Sequence, residues 1–233
     1  MKRPSSKSVT SHEVRHAYNR QYGTQPIRDL DRFYDWFASK VVARIQLHRG
    51  RPLRVLDVGC GGGYLLRAFR ERLAGRIKVE LVGVDIADEA LRYARSTVPE
   101  ARLILCQGER LPAVSGRFDI VLCSGNLEHF VDPVCGAREL ARACAPGGQV
   151  WLLLPNSFYS GDIWRVIRTG YGPNHHQIVD RFASVNEWRD FLQAHGLHVD
   201  AVWPYNRFKW WKRLLPRNLA YHFLYQARPA ANL

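Results

Sequence analysis

The sequence predicts an α/β fold: an open, mostly parallel sheet of seven strands, helices on both faces and an N-terminal helical cap. Three observations point there. Between residues 51 and 156, short apolar strand-like segments alternate with longer helix-like ones, the pattern of a parallel sheet covered on both sides. The first strand runs into a glycine-rich turn, VLDVGCGGGY from Val55 to Tyr64. After the alternating units come one further helix and two further strands.

Residues 1–10 are polar and expected to be disordered. From 11 to 48, Phe33, Trp36, Phe37, Val41 and Ile45 recur near helical spacing, so residues 1–48 read as a tail and helical cap before a domain spanning 49–233. Strands are expected at 54–58, 79–84, 102–106, 118–123 and 149–154, with helices at 64–73, 88–96 and 133–143. Asp88 is the expected N-cap of the second of these helices. The rhythm breaks after Leu154. Residues 155–182, with Gly161, Gly170, Gly172 and Pro173, read as an irregular insertion on the ligand side of the sheet. A capping box, Ser184 to Glu187, then opens a helix that Gly196 ends. Strands follow at 197–203 and 220–227, joined through a basic, aromatic connector over 204–219 that contains RFKWWKRLLPRN.

The chain has 233 residues, 46% of them hydrophobic, enough for one domain with a sizeable core. Its formal charge of +13 favours an anionic partner: nucleic acid, lipid head groups or an acidic metabolite. The five cysteines show no paired spacing, which suits reduced thiols in a cytoplasmic protein. MKRPSSKSVT has no apolar core behind its basic start, so no secretory signal is read there. The longest aliphatic run, Val150 to Leu154, is too short to span a bilayer.

The glycine turn limits the ligand. Gly59, Gly61 and Gly63 follow G-x-G-x-G, and Tyr64 stands where the third glycine of a dinucleotide fingerprint belongs. No Lys-Ser or Lys-Thr follows, so the phosphate-binding P-loop pattern is absent too. Asp57 inside the turn would repel a pyrophosphate and suits a cationic group such as an amino-acid ammonium.

VLDVGCGGGYLLRAF resembles motif I of the class I S-adenosylmethionine-dependent methyltransferases. LVGVDIADEAL at 81–91, CQGERLP at 106–112, FDIVLCSGNLEHFVDP at 118–133 and CAPGGQVWLLLPN at 144–156 are similar to that family's later motifs, in the same order. The resemblance implies a Rossmann-like sheet with an antiparallel last strand, and S-adenosyl-L-methionine as cofactor with S-adenosyl-L-homocysteine as product. It implies a cofactor site built from Asp57, Gly59, Cys60, Gly61, Gly63, Asp85, Ile86, Gln107, Gly108, Glu109 and Ser124. In that site Asp85 would grip the ribose hydroxyls and Ile86 would pack on adenine. Gln107 stands where the family commonly has Asp, and either it or Glu109 would accept from the adenine amino group.

For the transfer itself, His129 is the candidate base, needed only for an acceptor protonated at neutral pH. Tyr18 and Tyr22 resemble lid tyrosines of small-molecule methyltransferases, with Tyr22 a second catalytic candidate and Tyr18 on the acceptor side. Tyr159, Trp164, His175 and His176 are candidate acceptor contacts, while packing against the sheet is the plainer role for the aromatic ones. No metal site is expected, because adjacent histidines lack a third ligand at metal spacing. The LEHxxDP-like segment leans toward the quinone-biosynthesis and natural-product branch, and so toward a small or lipid-linked acceptor. Trp, Leu and Lys/Arg interleaved at 207–217 suit a peripheral membrane contact. The alternative is an RNA methyltransferase using the basic surface, although an NPPY-type motif is absent.

Overall fold

The computed structural model describes residues 9–24, 31–45, 50–172, 178–207 and 214–230. The expectations for residues 1–8, for His48, for Pro173, for His175 and His176, and for residues 208–213 of the connector lie outside these.

One sheet holds the strands β1 (Leu53–Val58), β2 (Val79–Asp85), β3 (Arg102–Leu105), β4 (Phe118–Ser124), β5 (Cys144–Pro155), β6 (Leu197–Tyr205) and β7 (His222–Pro229). Their order is β3-β2-β1-β4-β5-β7-β6. β1 to β5 pair in parallel, and β7 runs antiparallel to both its neighbours. The order reverses between β1 and β4, and the crevice at the strands' carboxyl ends there is where open α/β sheets bind ligands.

Strand periodicity divides the interior into two cores. Ile120 and Leu122 of β4, with Trp151 and Leu153 of β5, point to one face. They pack there against Phe37 and Val41 of α2 (Asp31–Val42) and Leu66 and Phe69 of α3 (Tyr64–Leu73). Val121, Cys123, Leu152 and Leu154 point to the other face, against Leu140 of α5 (Pro133–Ala143) and Leu192 of α7 (Val185–Ala194). A one-residue register slip would exchange the two sets, so the register is strongly specified. The helix ends follow their sequence signals. Asp132 accepts from the amides of Val134 and Cys135 at the start of α5, and Ser184 and Glu187 form the capping box of α7.

Several expectations change. The cap comprises two helices, α1 (Ser11–Thr24) and α2. β5 begins at Cys144, earlier than its apolar run suggests. Asp88 opens α4 (Asp88–Thr97) without capping it, because Ala87 holds the N-cap position. The Asp88 carboxylate instead accepts from Asn19 at 2.7 Å and pairs with Arg15 at 3.0 Å, tying α1 to α4. The segment read as irregular contains a helix, α6 (Ser160–Thr169), stopped by Gly170 with φ 71°. Glycines in this stretch had suggested a loop, but one of them is the left-handed C-cap that such a helix needs.

Candidate functional site

The turn after β1 is shaped by contacts that tolerate only glycine. Gly59 has φ 75°, and a Cβ there would lie 2.3 Å from the Asn126 side chain. Gly63 has φ 77°, and its Cβ would meet Val98 at 2.8 Å and Ala94 at 3.2 Å. Gly63 thus serves close packing of the turn on α4, the task the third fingerprint glycine performs in dinucleotide folds. It lines neither of the two cavities at the strand ends.

The larger of these cavities, about 230 Å³, is walled by Asp57, Gly59, Cys60, Gly61, Gly62, Ser124 and Asn126, with Tyr18, Tyr22, Tyr34 and His129 opposite. A narrower one of about 40 Å³ continues past Asp85, Ile86, Cys106, Gly108, Glu109, Phe130 and Val131. α1 roofs both through Tyr18 and Tyr22, and Val14 adds to the narrower roof. Val14 is the buried residue of α1; the helix is otherwise held by polar ties, including Ser11 to Gln107 at 3.2 Å. Burial holds both tyrosine hydroxyls well above the usual phenol range. Tyr22 therefore keeps its hydroxyl proton near neutral pH.

Two buried carboxyls end β1 and β2. Asp85 accepts from the Gly61 amide at 2.9 Å and the Ala87 amide at 2.8 Å, so it braces the glycine turn and starts α4. Burial raises its pKa, and those amide bonds oppose the shift. Asp57 is 2% exposed, and its Oδ1 is buried without a hydrogen-bond partner among the described residues. Burial, then the charge of Asp85, push its pKa up to about 8. A buried, unpaired carboxyl oxygen is costly and normally found with a partner; a bound cation would supply one.

The turn Leu127–His129 follows β4. His129 Nδ1 lies 2.7 Å from the carbonyl of Val179 and 3.0 Å from the Asp180 carboxylate. A carbonyl only accepts, so Nδ1 carries the proton and the Nε2 lone pair is the basic one. Burial lowers the pKa of His129, while Val179 and Asp180 oppose the shift. Its neighbour Glu128 is 3% exposed, with Oε2 lacking a partner among the described residues, and burial pushes its carboxyl up to about 8.

Asp57, Gly59, Cys60, Gly61, Asp85, Ile86, Gly108, Glu109, Ser124, Tyr18, Tyr22 and His129 thus gather on the cavity walls. Gln107 lies outside the walls, its amide oxygen accepting from Ser11. Glu109 accepts from the Val131 amide at 2.8 Å. Tyr159 packs against Tyr221 at 4.9 Å between ring centroids, and Trp164 on α6 is 60% exposed; neither lines either of these two cavities. Asn126, Phe130, Val131 and Tyr34 were not foreseen. Asn126 bonds the carbonyls of Gly59 and Ser124, and its signal was an amide one residue beyond a glycine at the end of a strand. Among the described residues no cluster of three potential metal ligands occurs.

Comparisons with known proteins agree with this geometry. Residues 55–148 match a family described as a methyltransferase domain. The ubiquinone biosynthesis O-methyltransferase of Idiomarina loihiensis is 38% identical over 103 residues, covering 42% of this chain and 40% of that protein. The chain spans about half the length of the curated relatives it matches. In structure it is similar to the methyltransferase of a Haloferax volcanii complex with the Trm112 methyltransferase activator. That similarity has a TM-score of 0.68 at 19% identity and covers 96% and 99% of the two chains. Magnesium protoporphyrin IX methyltransferase from Synechocystis, solved with bound SAH, gives 0.67 at 14% identity over 95% and 100%. At these identities the structural likeness speaks for the fold.

Proposed function

On the premise that residues 55–148 belong to the methyltransferase-domain family, we propose that the chain is an S-adenosylmethionine-dependent methyltransferase acting on the hydroxyl of a small, apolar acceptor. The observation that carries this is the orphaned Asp57 oxygen facing a glycine turn in the same cavity as His129. The cofactor would be held by Asp57 at a cationic group, by the turn from Gly59 to Gly62, and by Asp85, Ile86, Gly108 and Glu109 at the nucleoside. When bound, it supplies an activated methyl group. Asp85 is pre-set by two amide bonds, which hold its remaining lone pairs ready for hydroxyl donors. Tyr18 and Tyr22 exclude water. His129, neutral and fixed as its Nδ1–H tautomer, takes the acceptor's proton at Nε2.

An oxygen acceptor is supported by the O-methyltransferase name of the relatives, and an apolar one by α6. Ile163, Trp164, Val166 and Ile167 form one stripe of this helix and are all exposed, the last at 69%; none of its residues is buried. Arg168 borders the stripe on one side and Asp162 on the other, with Arg165 on the opposite face. An exposed apolar stripe on a helix carrying two arginines, in a chain of charge +13, suits an anionic lipid surface holding a lipid-linked acceptor. No helix among the described residues is long and apolar enough to cross a membrane, so the contact would be peripheral.

Incubation with methyl-labelled cofactor and fractionated cell extract tests this. Label is expected in apolar small molecules. Label in RNA would overturn the acceptor class, and absence of S-adenosylhomocysteine binding by calorimetry would overturn the cofactor.

A further inference from the structure

Residues 178–181 grip the turn behind β4. Val179 and Asp180 hold His129 Nδ1, as described. The next residue, Arg181, spreads its guanidinium over three backbone carbonyls. Nη1 donates to Glu128 at 3.3 Å and to Phe130 at 2.5 Å, and Nη2 donates to Val131 at 3.2 Å. The guanidinium is a rigid planar fork, so binding all three carbonyls fixes the turn's shape and not merely its location.

That turn is also the wall of the narrow cavity. Phe130 and Val131 line it. The Phe130 ring lies so close over Gly108 that a Cβ there would fall 2.1 Å from it. Val131 donates its amide to Glu109 at 2.8 Å. Asp180 and Arg181 themselves line neither cavity. Their reach is indirect: one strand of chain from the acceptor side sets the base on one hand and the nucleoside wall on the other.

We propose that Asp180 and Arg181 are positioning residues that join His129 and the Phe130–Val131 wall into one unit, so that seating of the segment at 178–181 sets both the tautomer of the base and the fit of the nucleoside. The role of the cavity in this inference rests on the cofactor reading above; the tautomer part does not. The charged and titratable groups facing His129 are Glu128, 3.7 Å from Nε2, Asp180 and Arg181. His222 of β7 senses its charge as well. From α1, Tyr18 faces Glu128 and Asp180.

The test uses the full chain with Arg181→Met, Arg181→Lys and Asp180→Asn. Nitrogen NMR of His129 in ligand-free protein should show the Nδ1–H tautomer in wild type and a tautomer mixture in Arg181→Met. Affinity for S-adenosylhomocysteine should fall about tenfold in Arg181→Met, the scale of one lost hydrogen bond. Arg181→Lys should restore part of it, because an ammonium cannot hold three carbonyls in a plane. In Asp180→Asn, loss of the carboxylate should lower the His129 titration midpoint. A wild-type tautomer with affinity within about twofold of wild type in Arg181→Met would overturn the proposal. If that variant does not fold, the same pattern in Arg181→Lys with an unshifted His129 midpoint in Asp180→Asn overturns it. Wild-type protein that binds no S-adenosylhomocysteine would refute the cofactor reading instead, and the NMR result would still decide this one.

Discussion

The two halves of the strand-end surface are built on opposite terms. From β1 to β4 the cavity walls are backbone and buried polar side chains: glycines held at positive φ, two carboxyls almost sealed from water, and an Asn126 amide locked between two carbonyls. Beyond Pro155, α6 buries none of its residues and shows an apolar stripe to solvent. The first half is rigid because its shape is fixed by groups that also hold the fold together. The second half is tied down at its ends, by Tyr159 against Tyr221 and by residues 178–181 on the turn behind β4, and its helix buries none of its residues. A fixed cofactor and a variable, apolar acceptor would produce this division, and each half can be broken separately.

The largest effect is expected on the first half. Asp85→Ala removes the acceptor of two backbone amides as well as the proposed ribose contact. Affinity for S-adenosylhomocysteine should fall by tenfold or more, since hydrogen bonds to a charged group contribute about 1.5–3 kcal/mol. Calorimetry giving an affinity within about twofold of wild type would show that the carboxylate only braces the turn. The glycines divide the same way. Gly63→Ala places a Cβ against Val98 and in a left-handed conformation, so unfolding in urea should show a loss of about 1–3 kcal/mol. Gly61, at φ 51°, carries the same left-handed cost, but a Cβ there meets only the Tyr22 hydroxyl at 3.4 Å, so Gly61→Ala should destabilise less than Gly63→Ala while weakening ligand binding more.

The legible part of this protein lay where backbone needs dictate residue type. Strand alternation, the glycine turn, Asp57, Asp85 and the Ser184 capping box all announce themselves, because few residues satisfy positive φ, helix capping or two-sided burial. The tertiary uses of those residues were less visible. Gly63 reads as a ligand glycine until Val98 is seen against it, and Asp88 reads as a cap until Asn19 and Arg15 reach it from α1. Arg181 carried no signal at all, since its partners are carbonyls about fifty residues away, and any residue type offers those. α6 was hidden for a different reason: its apolar stripe follows helical spacing, but its glycine neighbours suggested a loop.

A smaller effect separates the buried carboxyls from the rest of the site. Asp57, held up to about 8, is mostly protonated at pH 7 in ligand-free protein. A bound ammonium favours the carboxylate, so binding should release protons near pH 7, and affinity should rise as pH climbs toward 8 and then level. Calorimetry in buffers of different ionisation enthalpy reads this directly, and Asp57→Asn should abolish the proton release. The stability sign runs the other way. An acid whose folded pKa is raised keeps its proton where the unfolded chain has lost it, so stability falls between about pH 4 and pH 8. Asp57→Asn should flatten that decline, and an unchanged slope would mean that Asp57 is already ionised in the free protein.

The smallest effect should come from the most apolar surface. Ile167 is 69% exposed, so Ile167→Ser removes almost no buried area and should change unfolding free energy by no more than about 0.5 kcal/mol. A large-to-small change at Leu140 of α5, wholly buried against the sheet, should cost about 2–5 kcal/mol as Leu140→Ala. If α6 meets an anionic lipid surface, Ile167→Ser should nonetheless reduce recovery with phosphatidylglycerol vesicles, as should added salt, which screens the arginines. Recovery unaffected by the substitution, or equal on neutral vesicles, would detach α6 from lipid. A fall in stability comparable to that of Leu140→Ala would show that the helix packs on the protein, and the contrast between the two halves would then collapse.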